Sequence, residues 1–188
     1  MRNKCWLLLV AGLLATPVRA ATPAEAVPAT ALNARVEAAF TPGDDIGGKV
    51  VAAIQRARRQ VLVQAYSFTH DDIARALLEA YRRGVEVRII ADRGQTEQME
   101  RSLVPGLAKA GIPVWLDGEH QSAHNKLMVI DAGTPAAVII TGSFNFTRAG
   151  QYKNAENEVF ISGNEALAQA YVRNWQRHFK HSQPLTIH

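Results

Sequence analysis

From residue 35 onward, short apolar runs of strand length alternate with stretches whose apolar residues recur at helical spacing. Residues 61–66 (VLVQAY) and 85–90 (VEVRII) have the β-branched content of strands. Between them Ile73, Leu77, Leu78 and Tyr81 form one face of a helix, which Gly84 closes. Alternation of this kind predicts an α/β fold, a mixed β-sheet sandwiched by helices. The remaining elements follow the same logic. Strands are expected over 35–40, 111–115, 126–131 and 137–141, with a short last one over 158–161. Helices are expected over about 45–59, from a polar turn after residue 90 to about 110, and over 166–180, where Leu167, Ala170, Tyr171, Trp175 and Phe179 share a side. Thr69, with Asp72 three residues on, reads as the cap of the second helix.

The first residues follow a different rule. Arg2 and Lys4 precede an apolar run of 11 residues, Cys5 to Ala15, and Val18-Arg19-Ala20 gives a small-residue cleavage signature. Residues 1–20 therefore read as a secretory signal peptide, too short in its apolar part to span a bilayer. Residues 21–32, rich in Ala, Pro and Thr, read as a flexible leader, and 33–188 as a single catalytic domain. Cleavage matters for the electrostatics. The full chain of 188 residues carries 21 basic and 17 acidic residues, a net charge of +4; removing Arg2, Lys4 and Arg19 leaves 18 against 17, or +1. It also removes Cys5, the only cysteine, which excludes thiol nucleophiles and cysteine-based zinc sites from the mature chain. No global positive field remains to draw in nucleic acid; any attraction must be local. The mature chain is expected in the periplasm or secreted, without a stable membrane anchor.

The chemistry-bearing residues lie between 124 and 156. His124-Asn125-Lys126 through Asp131 reads H-x-K-x4-D, and Gly142-Ser143-Phe144-Asn145 follows eleven residues after the aspartate. Side chains alternate along a strand, so His124 and Lys126 share a face, as do Ser143 and Asn145. If the two strands are neighbours, an imidazole, an ammonium, a hydroxyl and a carboxamide converge. Such a set suits a phosphodiester: a neutral imidazole is a nucleophile at neutral pH, and the donors can hold non-bridging oxygens. No carboxylate cluster offers a two-metal site, so no metal or other cofactor is expected.

H-x-K-x4-D followed by G-S-x-N resembles the signature of the phospholipase D superfamily, and most closely its small one-motif bacterial branch, the exported Nuc-type endonucleases. Residues 65–69 (AYSFT), 83–87 (RGVEV), 142–147 (GSFNFT) and 154–157 (NAEN) support the likeness, which spans about residues 45–180. One departure is a turn between Asp131 and Gly142 a few residues longer than usual. The resemblance implies a phospholipase D-like fold and a phosphohistidine formed on His124. A second histidine would protonate the leaving oxygen and later activate water. It implies that Lys126, Ser143 and Asn145 bind phosphoryl oxygens, that Glu156 orients an imidazole, and that Asp131, though a motif residue, is a structural partner rather than a proton shuttle. One motif per chain implies a homodimer with two motifs at a two-fold axis. The substrate implied is nucleic acid, DNA with RNA as a second candidate. A phospholipid such as phosphatidylcholine is the alternative, and a non-catalytic DNA-binding or uptake protein a third reading.

Other features carry weaker expectations. His120 and His124 stand four apart, but no third metal ligand is near in sequence, and His120 reads as a loop residue beside the cleft. His70 reads as a solvated turn residue. Tyr66 and Ser67 stand at a strand's end, where they can border a site or pack in the core. Arg56, Arg58 and Arg59, and Arg82, Arg83 and Arg88, read as solvated basic faces. Phe144, Phe146 and Trp115 read as packing residues.

Overall fold

The computed structural model describes residues 34–187. The expected signal peptide and leader, with Cys5, lie outside the described residues. One mixed eight-stranded sheet runs through the chain. Its strands are β1 (Arg35–Thr41), β2 (Gln60–Ala65), β3 (Glu86–Asp92), β4 (Val114–Asp117), β5 (Lys126–Ile130), β6 (Val138–Gly142), β7 (Glu156–Ser162) and β8 (Gln183–Pro184). Their order across the sheet is β1-β7-β6-β5-β2-β3-β4-β8. The helices are α1 (Ile46–Arg56), α2 (Asp71–Arg82), α3 (Arg93–Gln98), α4 (Val104–Lys109), α5 (Arg148–Tyr152) and α6 (Glu165–His181).

Strand alternation divides the core into two layers. Val61, Val63, Ile89, Met128 and Ile140 point to the face covered by α1 and α2, where Ile46, Val50, Ile54, Ile73 and Leu77 are fully buried. Leu62, Ile90, Leu127, Val129 and Ile139 point the other way, under Ala168 and Trp175 of α6. Burying each such side chain contributes about 1.5–3 kcal/mol. The Trp175 indole N–H donates to the Val63 carbonyl at 3.0 Å, so the largest buried side chain leaves no unpaired donor.

Sheet direction then sets where function can sit. β2, β3 and β4 run parallel and bring Ala65, Asp92 and Asp117 to one edge. β5 is antiparallel to β2 and starts at that edge with Lys126 opposite Ala65. β6 ends there at Gly142, and β7 starts there at Glu156. The longer turn between Asp131 and Gly142 sits at the opposite edge and leaves the β5–β6 pairing intact, with Leu127 opposite Thr141.

Several sequence expectations are corrected. The helix expected up to about residue 110 is two short helices, α3 and α4. The short last strand is the seven-residue β7, while α5 and β8 were not foreseen, being only five and two residues long. Thr69 does not cap α2: the N-cap is His70, without a side-chain bond, and the Thr69 and His70 amides both donate to the Phe146 carbonyl. Asp71 and Asp72 in the first turn still complement the helix dipole. His70 is not solvated but buried against Gly47, and burial lowers its pKa. Gly84 does close α2, at φ +87°, a backbone conformation that a side chain would strain.

Candidate active site

The His124 position is built by the end of a crossing loop. The chain leaves β4 at Asp117 and crosses to β5, and Asp92 Oδ2 accepts from the Ala123 amide at 2.8 Å immediately before His124. The Tyr66 amide donates to the Asn125 carbonyl at 2.9 Å, which fastens the loop to the end of β2. His124 is exposed, while Lys126, the first residue of β5, is buried. Lys126 Nζ lies 2.8 Å from His124 Nδ1 and donates to the His124 carbonyl at 2.8 Å. Nε2 is thus the ring nitrogen free to face a substrate. The Tyr66 ring packs 4.2 Å from the His124 ring, centre to centre, and 4.7 Å from Lys126 Nζ. The sequence left Tyr66 between core and site; it borders the site. Ser67 is buried and donates to Gln95 Oε1.

The second half of the motif arrives from β6 and β7. Continuing the register of Leu127 with Thr141 by one residue sets Lys126 opposite Gly142. The strand ends at Gly142, so Ser143 and Asn145 lie in the loop beyond it rather than on a strand. Alternation persists there all the same: Phe144 is buried, and Ser143 exposed. Ser143 Oγ donates to Glu156 Oε2 at 2.6 Å and accepts from the Asn157 amide at 3.1 Å. Asn145 Oδ1 is buried without a partner. Glu156 is held by Ser143 and by Asn154 Nδ2 at 2.9 Å. Within one chain the imidazole contact implied for Glu156 is not formed; Lys126 occupies His124 Nδ1 instead. Phe144 and Phe146 are fully buried packing residues, as expected.

Asp131 does not join the other motif residues. It ends β5 at the edge opposite Lys126, at φ +50°, and its carboxylate accepts from the amides of Arg58, Arg59 and Gln60 at 2.7–3.0 Å. It thus fastens the end of β5 to the start of β2, the kind of structural place that the resemblance implies for this motif residue. Arg58 and Arg59 share that distant edge, so that basic run does not flank the site. Replacing Asp131 with alanine should lower unfolding free energy by about 3 kcal/mol in denaturant melts, because three amides lose a charged acceptor. The kcat of the folded fraction should change little; a collapse in kcat would instead mark a role in the chemistry.

Two titratable groups at the site have unusual affinities for protons. Burial lowers the Lys126 pKa from 10.5 to about 8, against the opposing pull of Glu156, Asp92 and Glu158. Glu158, fully buried beneath Gly142, is pushed up to about 8 by burial and by Glu156, which the Phe144 amide and Lys126 only partly offset. With a pKa of about 8 Glu158 is mostly protonated at pH 7, and no motif in the sequence points to it. Lys126 is an ammonium below about pH 8 and an amine above it. Since only the ammonium attracts phosphoryl oxygens, kcat/KM should fall as pH rises through about 8. In Lys126→Arg that falling limb should move beyond the range where lysine titrates.

Fold and site together define a phosphodiester hydrolase. Residues 50–181 match the family model described as "Cardiolipin synthase, PLD-like domain", and the chain belongs to the phospholipase D superfamily as a single-motif member. A curated relative named phospholipase D from Rickettsia felis is 39% identical over 144 residues, 77% of this chain and 69% of the relative. The crystal structure of Nuc from Salmonella typhimurium, described as a phospholipase D family member, aligns with TM-score 0.75 and 31% identity, over 82% of this chain and all of that one. NucT from Helicobacter pylori shares the fold, with TM-score 0.72 at 22% identity, over 81% of this chain and all of NucT.

Proposed function

We propose that this protein is a metal-independent nuclease, cleaving DNA, with RNA as a second candidate substrate, through a phosphohistidine on His124 in a site shared by two copies. The observation that carries the chemistry is the His124–Lys126 pair, with Nδ1 turned to the ammonium and Nε2 turned outward. In the attacking tautomer the ring proton is on Nδ1. Lys126 then turns its charge to the non-bridging oxygens as the substrate enters. Nε2 forms the bond to phosphorus, and the ester oxygen leaves with a proton from the second imidazole. That imidazole next takes a proton from water, which displaces His124 and releases the phosphate product.

One chain has only one H-x-K-x4-D, since the H-x-K of His178-Phe179-Lys180 in α6 has no aspartate after it, so the second imidazole is supplied by the partner's His124. An uncovered apolar stripe supports a second copy close by. Val36 and Phe40 on edge strand β1 are 63% and 57% exposed, and Phe40 stands opposite Asn157, the neighbour of Ser143. Mixing wild type with His124→Ala in equal amounts, under exchange of subunits, tests this sharing. A shared site predicts about one quarter of the activity of the same total amount of wild type, since only wild-type pairs work, whereas independent sites predict about one half.

Nucleic acid is favoured as substrate by a cleft formed from segments that follow Tyr66 and Asn145 in the chain. This cleft of about 1000 Å³ is lined by Arg101, Arg148 and Lys153 together with Asp71 and Glu100. It also presents Tyr152, 67% exposed, with the Arg148 guanidinium 5.6 Å from its ring. Cations beside an exposed aromatic ring suit a backbone of phosphates with bases to stack. A phospholipid diester is the second reading, favoured by the name of the Rickettsia relative. Plasmid DNA, RNA and phosphatidylcholine vesicles offered in parallel decide between them: lipid cleavage without nucleic-acid cleavage overturns the nuclease reading. Export through residues 1–20 belongs to the same proposal, and N-terminal sequencing of the secreted protein should begin at Ala21.

A further inference from the structure

A second cluster of reactive side chains lies on the same sheet edge, at the end of β4. Asp117 is buried and its carboxylate points at the last turn of α6. Its Oδ2 lies 2.7 Å from His178 Nδ1 and 3.2 Å from His181 Nε2. His120, exposed on the crossing loop, completes a triangle of imidazoles. The ring centres are 5.4 Å apart for His120 with His178, 5.4 Å for His120 with His181, and 5.3 Å for His178 with His181. One ligand atom from each of the four residues falls within 4.8 Å of all the others. The sequence paired His120 with His124 and found no third ligand; the fold instead brings His120 to Asp117, His178 and His181.

That spacing is informative. In a tetrahedral zinc site with Zn–N near 2.0–2.1 Å, imidazole ring centres fall about 5 Å apart. Three imidazoles packed only as neutral hydrophobic rings have no reason to stand equidistant from one another beside a buried carboxylate. Three nitrogens and one oxygen are also the donor set that suits Zn²⁺ and Co²⁺ and disfavours Mg²⁺ or Ca²⁺. Glu119 donates its amide to the other carboxylate oxygen at 3.2 Å, which orients Asp117 from behind. We propose that Asp117, His120, His178 and His181 form a closed tetrahedral site for a zinc-class divalent cation that ties the end of α6 to the loop carrying His124.

Four protein ligands leave no open position, so the ion's role is structural. It sits three strand spacings from β5, on the order of 14 Å, too far to touch a substrate at His124. Its effect is mechanical: the crossing loop is pinned at His120 by the metal and at Ala123 by Asp92, next to the nucleophile. The site stands apart from the substrate proposed above and is tested without any turnover.

Tag-free protein stripped with chelator and titrated with Co²⁺ should bind one ion per chain with the intense visible absorption of tetrahedral cobalt, displaced by Zn²⁺. His178→Gln retains a donor for Asp117 and so keeps the metal-free fold, with an apo Tm near wild type, but its affinity should fall at least tenfold. His124→Ala should bind as wild type does. Zinc should raise the wild-type Tm and slow hydrogen exchange at the amides of residues 118–123, and do neither in His178→Gln. No binding, binding unchanged in His178→Gln, binding lost in His124→Ala, or octahedral cobalt spectra would each overturn the proposal.

Discussion

On the phosphohistidine mechanism, His124→Ala should lower kcat/KM by a factor on the order of 10⁴ or more, because the covalent step loses its nucleophile. Stability should stay within about 0.5 kcal/mol of wild type, since the side chain is exposed and its removal opens no cavity. Substrate labelled at phosphorus and quenched in alkali should leave label on the wild-type chain and none on the variant. Persistent cleavage with full covalent labelling would move the nucleophile elsewhere. Lys126 provides the internal comparison. Its ammonium stabilises the developing charge without bonding to phosphorus, so Lys126→Met should cost less, about 10²–10³-fold, and should still accumulate some label.

The second large effect is expected from Gly142→Ala. A Cβ at this position would stand 2.3 Å from the Asn157 carbonyl oxygen and 2.9 Å from the Glu158 Cα, both backbone atoms that cannot turn aside. β7 would have to move away from β6 at the point where Ser143 N donates to Asn157 O at 3.0 Å. Thermal or denaturant melts should show a loss of about 3 kcal/mol, the upper range for overpacking. The folded fraction should also lose activity more than tenfold, since Ser143 directly follows β6 and Glu156 begins β7. Glu158 Oε2 is a further obstacle at 2.4 Å, but Glu158→Ala should not rescue the variant, because the backbone contacts remain. Recovery in the double variant would show that the carboxyl, not the chain, sets the limit.

The motif glycine thus has a steric reason that the pattern G-S-x-N states only as a letter. Other parts of the motif divide in the same way. The alternation rule brought His124 and Lys126 to one face, and it anticipated Phe144 as core beside an exposed Ser143. It could not show that Asp131 leaves the site, since a residue five positions along a strand from Lys126 lies about 17 Å away only once the strand is known to be straight. Nor could it show Glu158, whose unusual proton affinity comes from burial on β7 between β1 and Gly142 of β6.

Local sequence determined the order of the long elements, the position of the motif and the class of chemistry, because strand and helix periods and a one-segment motif are properties of neighbouring residues. The net charge of the expected mature chain, +1, was likewise legible, and it removed global attraction as an argument for nucleic acid. Contacts between residues far apart in the chain were decided by the sheet alone. Strand order places Tyr66 on His124, sends Asp131 to the opposite edge, and joins Asp117 and His120 to His178 and His181 some sixty residues later. Helical and strand periodicity act over a few residues, whereas these pairings are fixed by how eight strands close-pack into one sheet, which no short stretch of sequence encodes.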